Sequence, residues 1–466
     1  MVRIVASAAV RGSRSLGQAL ASRADVARLF GRAAFGATSA DLDKWTGQPY
    51  AAAVSSLVDV PDPALRAPQV DDVARLIHEN NKDTVDKNQL WWLKRMASTP
   101  YPLEERMTLF LHDHFATSVL ANGRPDAAMV LHQNETLRLR SLGNFSTLCN
   151  DITVDPAMLH WLSGTLNRSG KPNENYAREL FELFTLGTIP QVYTETDIRQ
   201  AARALTGWTV DANRAAKFNT GTHDKGTKVV LGRTITNLEA TEYQEVVAAA
   251  LTYKVEGRTV APLYIAYKLV LSFGYIPETT DLLAAPDPVV AAVAAALAPA
   301  WDLRAAVRTM LMHDGFRSAD ATQGRQTVRQ PIELAVHAAK ALGFEANQGQ
   351  LVTLLGRMAQ KPFQPPNVSG WQIGRDWLSP TTVIARYDLG ITAYALWLAV
   401  NQVLRVALPA SGDLAAWAAR LGLAGLSPNT EAAIRGYLAS PGTTAEAEKQ
   451  KGVLTLLMSS PDWMVM

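Results

Sequence analysis

Apolar residues return at intervals of three and four in segment after segment of this chain, and that spacing restricts it to an all-α fold. VARLFGRAAF, WWLKRMAS, IRQAARALTGW, PLYIAYKLVLSF, PIELAVHAAKALG and TVIARYDLGITAYALWLAV all carry it, and each gathers its apolar side chains on one helical face. Period-two alternation, the mark of a half-buried strand, is scarce. The pattern predicts a multi-helical array of about 15–20 helices. Ser22 and the pair Thr194/Asp197 are start signals, because their side chains can satisfy backbone donors at a helix start. Gly143, Gly187, Gly207 and Gly343 mark stops. One stretch departs from this pattern: residues 209–236 are rich in Thr, Asn, Gly and Lys, and KVVLGRTIT within them reads as a small β-hairpin.

That excursion is the natural punctuation of a chain whose 466 residues would allow about three domains of roughly 150 residues. The expected organisation is a mobile N-terminal arm (1–21), an N-terminal helical half (22–208), a polar linker or hairpin (209–239) and a C-terminal helical half (240–466) packed on the first. A net charge of +2 with both signs interspersed gives no footprint for nucleic acid. The lone Cys149 excludes an intramolecular disulfide and a cysteine-based zinc site. Arg11 and Arg14 interrupt the apolar N-terminal patch before it forms a signal-peptide core, which favours a cytoplasmic chain. ALWLAVNQVLRVAL is too short or too polar for a membrane span of about 20 residues.

Several polar constellations stand out. LFLHDHFATS holds His112 and His114, which on a regular helix point about 200° apart; His114 shares a face with Met107, Phe110 and Leu111, and His112 looks elsewhere. In PNENYARELFEL, Glu179 and Glu182 lie at i and i+3 on one face. If that face is buried, the two carboxylates need a metal, a shared proton or cations. One reading makes His112, His114, Glu179 and Glu182 the ligands of a divalent metal ion; the other makes the glutamates part of an Arg–Glu network with Arg178, Arg199 and Arg203. His223 and Asp224, in the hairpin region, are candidates for acid/base catalysis, since histidine as a class titrates near neutrality, and Arg178 is a third catalytic candidate. In PPNVSGWQIGRDWLS, Trp371, Arg375 and Trp377 can wall a cofactor pocket or simply fill a gap between helices. Asp155, Asn167, Asn173 and Asn175 offer oxygen ligands, but turn and cap chemistry accounts for them. There is no G-x-S-x-G elbow, Walker loop, H-E-x-x-H or dinucleotide glycine fingerprint.

The order of ARLFGRAAFGAT, PLEERMTLFLHDHFATS, GKPNENYAREL, QPPNVSGWQIGRDWLS and the terminal LMSSPDW resembles the bacterial family designated domain of unknown function 1800, over most of the chain. The resemblance implies a related fold and no established reaction. It also implies a companion, because such proteins are often encoded beside members of the domain-of-unknown-function 1501 family. Relatives often carry an acid where this chain has Ser163 and a histidine where it has Phe184. Two functional expectations follow: a metal- or acid/base-dependent enzyme, a hydrolase or an oxidoreductase, with its site between helices 106–118 and 173–186, or a non-catalytic assembly or export partner whose polar cluster only fixes the core. LFLHDHF is also similar to distal haem-peroxidase segments, but it lacks their adjacent arginine and nothing marks a proximal ligand, which leaves haem the weakest alternative.

Overall fold

Local signals start the helices where the sequence puts them. Ser22 accepts the Asp25 N–H at 3.1 Å while Asp25 accepts the Ser22 N–H at 2.9 Å, a reciprocal cap on Arg23–Ala33. Thr194 and Asp197 do the same for Glu195–Ala204. Gly343, left-handed at φ +79°, ends Pro331–Leu342. The computed structural model describes residues 19–61, 85–120, 123–189, 192–236, 239–318, 327–404, 407–442 and 445–465. It is 60% helical, with 22 helices and three two-stranded sheets among the described residues. The fold is all-α in its bulk, and short helices such as Ser39–Trp45 and Pro461–Met464 carry the count past the expected range.

The polar excursion is two hairpins rather than one. Trp208–Val210 pairs antiparallel with Ala216–Phe218, and Lys228–Val230 with Arg233–Ile235. Leu231 and Gly232 both take positive φ, the twist that suits a two-residue hairpin loop.

Two apolar cores form, and Pro102–His114 lies between them. Leu103, Met107, Phe110 and Leu111 of this helix enter the first core and Leu109 the second. The first core also takes residues from Arg23–Ala33, Phe145–Thr153, Glu195–Ala204, Val260–Ser272 and Leu303–Met312. The second draws on Val85–Ser98, Pro331–Leu342, Pro380–Leu404 and Glu446–Ser459. Helices between 242 and 312 therefore pack with the N-terminal part, and the boundary between cores does not fall at 209–239.

A helix between two cores buries its polar residues as well, and these must be paired. Glu105 accepts Trp92 Nε1 at 2.8 Å, Arg95 Nε at 2.5 Å and Arg138 Nε at 2.5 Å. Burial pushes its carboxyl up, but Arg138 and Arg95 outweigh that and hold it down at about 2.

Residues 1–18 of the expected arm lie outside the described residues. The rest of it is anchored: Ala21 N–H donates to Gln48 O at 2.8 Å and Tyr50 N–H to Ala19 O at 2.9 Å. Residues 395–404 of the run ALWLAVNQVLRVAL belong to a longer helix than its own apolar run suggests, Pro380–Leu404. The segment Pro380–Asn401 is long and apolar enough to cross a membrane by length and composition, yet 39% of its apolar window is buried against the rest of the fold. The outer residues Val383, Ile384, Tyr387, Ile391 and Leu398 are exposed.

Candidate active site

The His-Asp-His segment ends the helix between the cores, and its three side chains go three ways. His112 enters the second core, 5.2 Å from the Trp92 ring and 5.6 Å from that of Trp371. Its Nε2 accepts the Phe363 N–H at 3.2 Å, which assigns the ring proton to Nδ1. Burial lowers its pKa to about 3. His114 enters the first core among Phe110, Phe115, Phe145 and Phe184, and its Nε2–H donates to Phe184 O at 3.1 Å. Burial, reinforced by the Lys268 cation, keeps this ring neutral well below the usual histidine range. Asp113, between them, accepts the Trp371 N–H at 2.6 Å. Burial raises its carboxyl to about 6 against the pull of that N–H, Lys268 and Arg106.

The glutamate pair lies where helical geometry changes. Asn175–Glu179 is α-helical, and Leu180–Thr185 continues as a π-helix. Thr185 Oγ1 donates to Leu180 O at 2.5 Å and Leu186 N–H to Phe181 O at 2.8 Å, both five residues back. Such π segments are rare and frequent at functional sites. Arg178 pairs with Glu195 at 2.7 Å, Glu174 at 3.3 Å and Glu182 at 3.6 Å. Arg199 goes to Glu174 and Arg203 to Asp224, so of the three expected cations only Arg178 reaches the glutamate pair. Glu179 is half-buried with no ion pair among the described residues, and burial, then Glu182, raise its pKa while Arg178 opposes. Tyr193 hydrogen-bonds Glu182, and Tyr264 OH donates to Glu182 O at 3.4 Å. Beyond Tyr264 opens a cleft of about 370 Å³ lined by Thr188, Tyr264, Tyr267, Thr280 and Asp281 among others. Gly187, at φ +80°, lets the chain turn there; a Cβ would meet the Tyr264 ring at 2.7 Å. Lys268, one turn from Tyr264, is partly buried, and desolvation lowers its pKa despite Asp113.

His223 is buried beneath the hairpins with both ring nitrogens engaged. Nδ1–H donates to Thr206 O at 2.8 Å, and Nε2 lies 2.7 Å from Glu242 Oε2. Lys228 Nζ donates to Glu242 Oε1 at 2.8 Å. One proton thus lies between His223 and Glu242, on the ring or on the carboxyl. Asp224 takes a bidentate pair of bonds from Arg203, at 2.8 and 3.0 Å.

Trp371 and Trp377 are buried in the second core, whereas Arg375, on the Gly374–Trp377 turn, is exposed. The three do not wall one pocket, because the indoles fill space between helices. Asp155 caps Pro156–Trp161 and accepts Gln133 Nε2 at 2.7 Å, while Asn167 and Asn173 accept the N–H groups of Asn173 and Asn175. Caps and turns thus account for these oxygens. Among the described residues no three or more His, Cys, Asp or Glu side chains are grouped to hold a metal ion. His112 and His114 point into separate cores, His114 reaching the π-helix only at the Phe184 carbonyl, and His223 has partners of its own. Sequence reasoning missed Tyr193, Tyr264, Lys268, Lys228 and Glu242. A lysine in the apolar run PLYIAYKLVLSF was the one visible signal.

The architecture defines a class: a helical protein with two cores, a polar seam between them and a π-helix beside an open cleft. The chain belongs to the family described as Protein of unknown function (DUF1800), whose model matches residues 28–465, most of its length. Comparison with curated proteins and with solved structures returned no match.

Proposed function

We propose that the protein is an acid–base enzyme acting on a small polar substrate at the cleft beside the π-helix, with Glu179 as the proton donor. The observation that carries this reading is the state of Glu179: half-buried, in no ion pair among the described residues, and with its pKa raised by burial and by Glu182 against the pull of Arg178. A carboxyl whose pKa is raised beside a second, arginine-held carboxylate is a standard way to assign acid and base roles within one site. Glu182 is that partner, Arg178 and the Tyr193 hydroxyl orient it, and Tyr264, whose hydroxyl donates to Glu182 O, lines the cleft. His112 and His114 have no part in this chemistry, and His223 serves the hairpins. The test is turnover of a panel of chromogenic esters, glycosides and phosphoesters by the wild type and by Glu179→Gln. Turnover of one class that falls at least a hundredfold in the variant supports the reading. Turnover that the variant retains in full refutes it.

A second reading, a non-catalytic assembly partner, is favoured by a different observation. Val383, Ile384, Tyr387, Ile391 and Leu398 expose an apolar stripe on Pro380–Leu404, and such patches mark interaction surfaces. Co-purification with the companion family's protein, abolished by Ile384→Glu and untouched by Glu179→Gln, would support it.

A further inference from the structure

Arg32, Arg106, Arg329 and Arg386 are all buried, at most 6% exposed, where the two cores meet, and Glu333 is the carboxylate among them. Arg106 is in ion-pair contact with Glu333 at 2.7 Å and donates to Arg32 O at 3.2 Å and to Ser272 Oγ at 3.4 Å. The other Glu333 oxygen caps its own helix, accepting the Gln330 N–H at 3.0 Å. Arg386 Nη2 donates to Arg329 O at 3.1 Å, Arg329 Nη1 to His337 Nδ1 at 2.8 Å, and Arg32 Nη1 to Phe316 O at 2.7 Å. The charges act on one another: Arg106, Arg329 and Arg386 all bear on Glu333, Arg329 bears on Arg32, and a Cβ on Gly31 would lie 3.0 Å from Arg329 Nη2.

Those bonds leave donors over. Nε and Nη2 of Arg32, Nε of Arg329, and Nε and Nη1 of Arg386 are buried with no hydrogen-bond partner among the described residues. Burial lowers Arg32 to about 9 and Arg329 and Arg386 to about 10, so all three remain cationic at neutral pH. Buried unpaired charge is costly, and an orphaned buried donor calls for an explanation such as a bound ion. A recess beside Arg32, lined in part by Arg28 and Arg317, adds to the positive surroundings; Asp25, also on its rim, is held by Arg317 at 2.9 Å.

We propose that this seam binds a small oxyanion of the carboxylate or phosphate kind, held by the unpartnered guanidinium N–H groups of Arg32, Arg329 and Arg386. Guanidinium groups suit such anions because their N–H donors match oxygen lone pairs in charge and direction. The site is separate from the π-helix cleft and does not depend on its chemistry.

The test is calorimetric titration of protein purified in chloride alone, with inorganic phosphate and separately with malonate, at constant ionic strength. The expected result is saturable binding of one anion per chain for at least one probe. Arg386→Met, with its helicity checked by circular dichroism, should bind at least tenfold more weakly. Arg32→Met, tested in parallel, should weaken binding likewise and serves if Arg386→Met does not fold. Absence of saturable binding of both probes by the wild type overturns the proposal, whatever the variants do. Binding that survives unchanged in a folded variant overturns it equally, by moving the anion to the surface.

Discussion

The Asp113 carboxylate accepts the backbone N–H of Trp371 at 2.6 Å, and so ties the end of the helix between the cores to the SGW turn. Gly370 makes the approach possible: at φ +84°, it would place a Cβ 2.3 Å from Asp113 Oδ1 and 2.6 Å from Asp113 O. Asp113→Ala should cost about 1–3 kcal/mol, the price of an orphaned buried donor. Asp113→Asn, which keeps an acceptor, should cost less, and Gly370→Ala more than either. Urea denaturation of the three variants checks the order.

The histidines on either side predict an acid limb. A base whose folded pKa is depressed adds stability that is present above its unfolded value and is lost as pH falls through the folded one. For His112 that window runs from 6.5 to about 3, and His114 acts in the same direction. Asp113 has the opposite sign, losing stability as pH rises from 3.8 to about 6. Urea midpoints measured from pH 7 to pH 4 should fall for the wild type and fall less steeply for His112→Leu.

Much of the fold was legible because its determinants are local. The Ser22 and Thr194 caps, the Gly343 stop and the opposite headings of His112 and His114 follow from residues within one or two turns. The Glu179/Glu182 adjacency was legible too, but the π-helix was not: His114 and Tyr264 hold its carbonyls from distant segments. The arginine seam was equally hidden, because Arg32, Arg106, Glu333 and Arg386 come from four separate helices and carry no shared motif. His223 was found without its partners, since Lys228 and Glu242 reach it only once the second hairpin and the following helix have folded over the ring.

That buried trio should matter for stability. Glu242→Leu leaves Lys228 and His223 facing each other without a carboxylate, and removing one member of a buried ion pair costs about 3–5 kcal/mol. Hydrogen exchange should show the hairpins opening first.

Arg138 is predicted to be the chief support of Glu105. Arg138→Met should cost about 3–5 kcal/mol in chemical denaturation, and Arg95→Met less, because Arg138 holds both Glu105 oxygens and Arg95 only one.

In the proposed mechanism Glu179 is held as an acid for proton transfer and contributes little to holding the fold. A carboxyl whose folded pKa is raised costs stability as pH rises from its unfolded value through its folded one. Glutamine does not titrate, and replacing a functional acid is often neutral or stabilising. The decisive measurement is the difference in unfolding free energy between Glu179→Gln and wild type from pH 4 to pH 8. The expected difference moves in favour of the variant as pH rises and then levels off. A variant that is less stable throughout, by a constant amount, would contradict it.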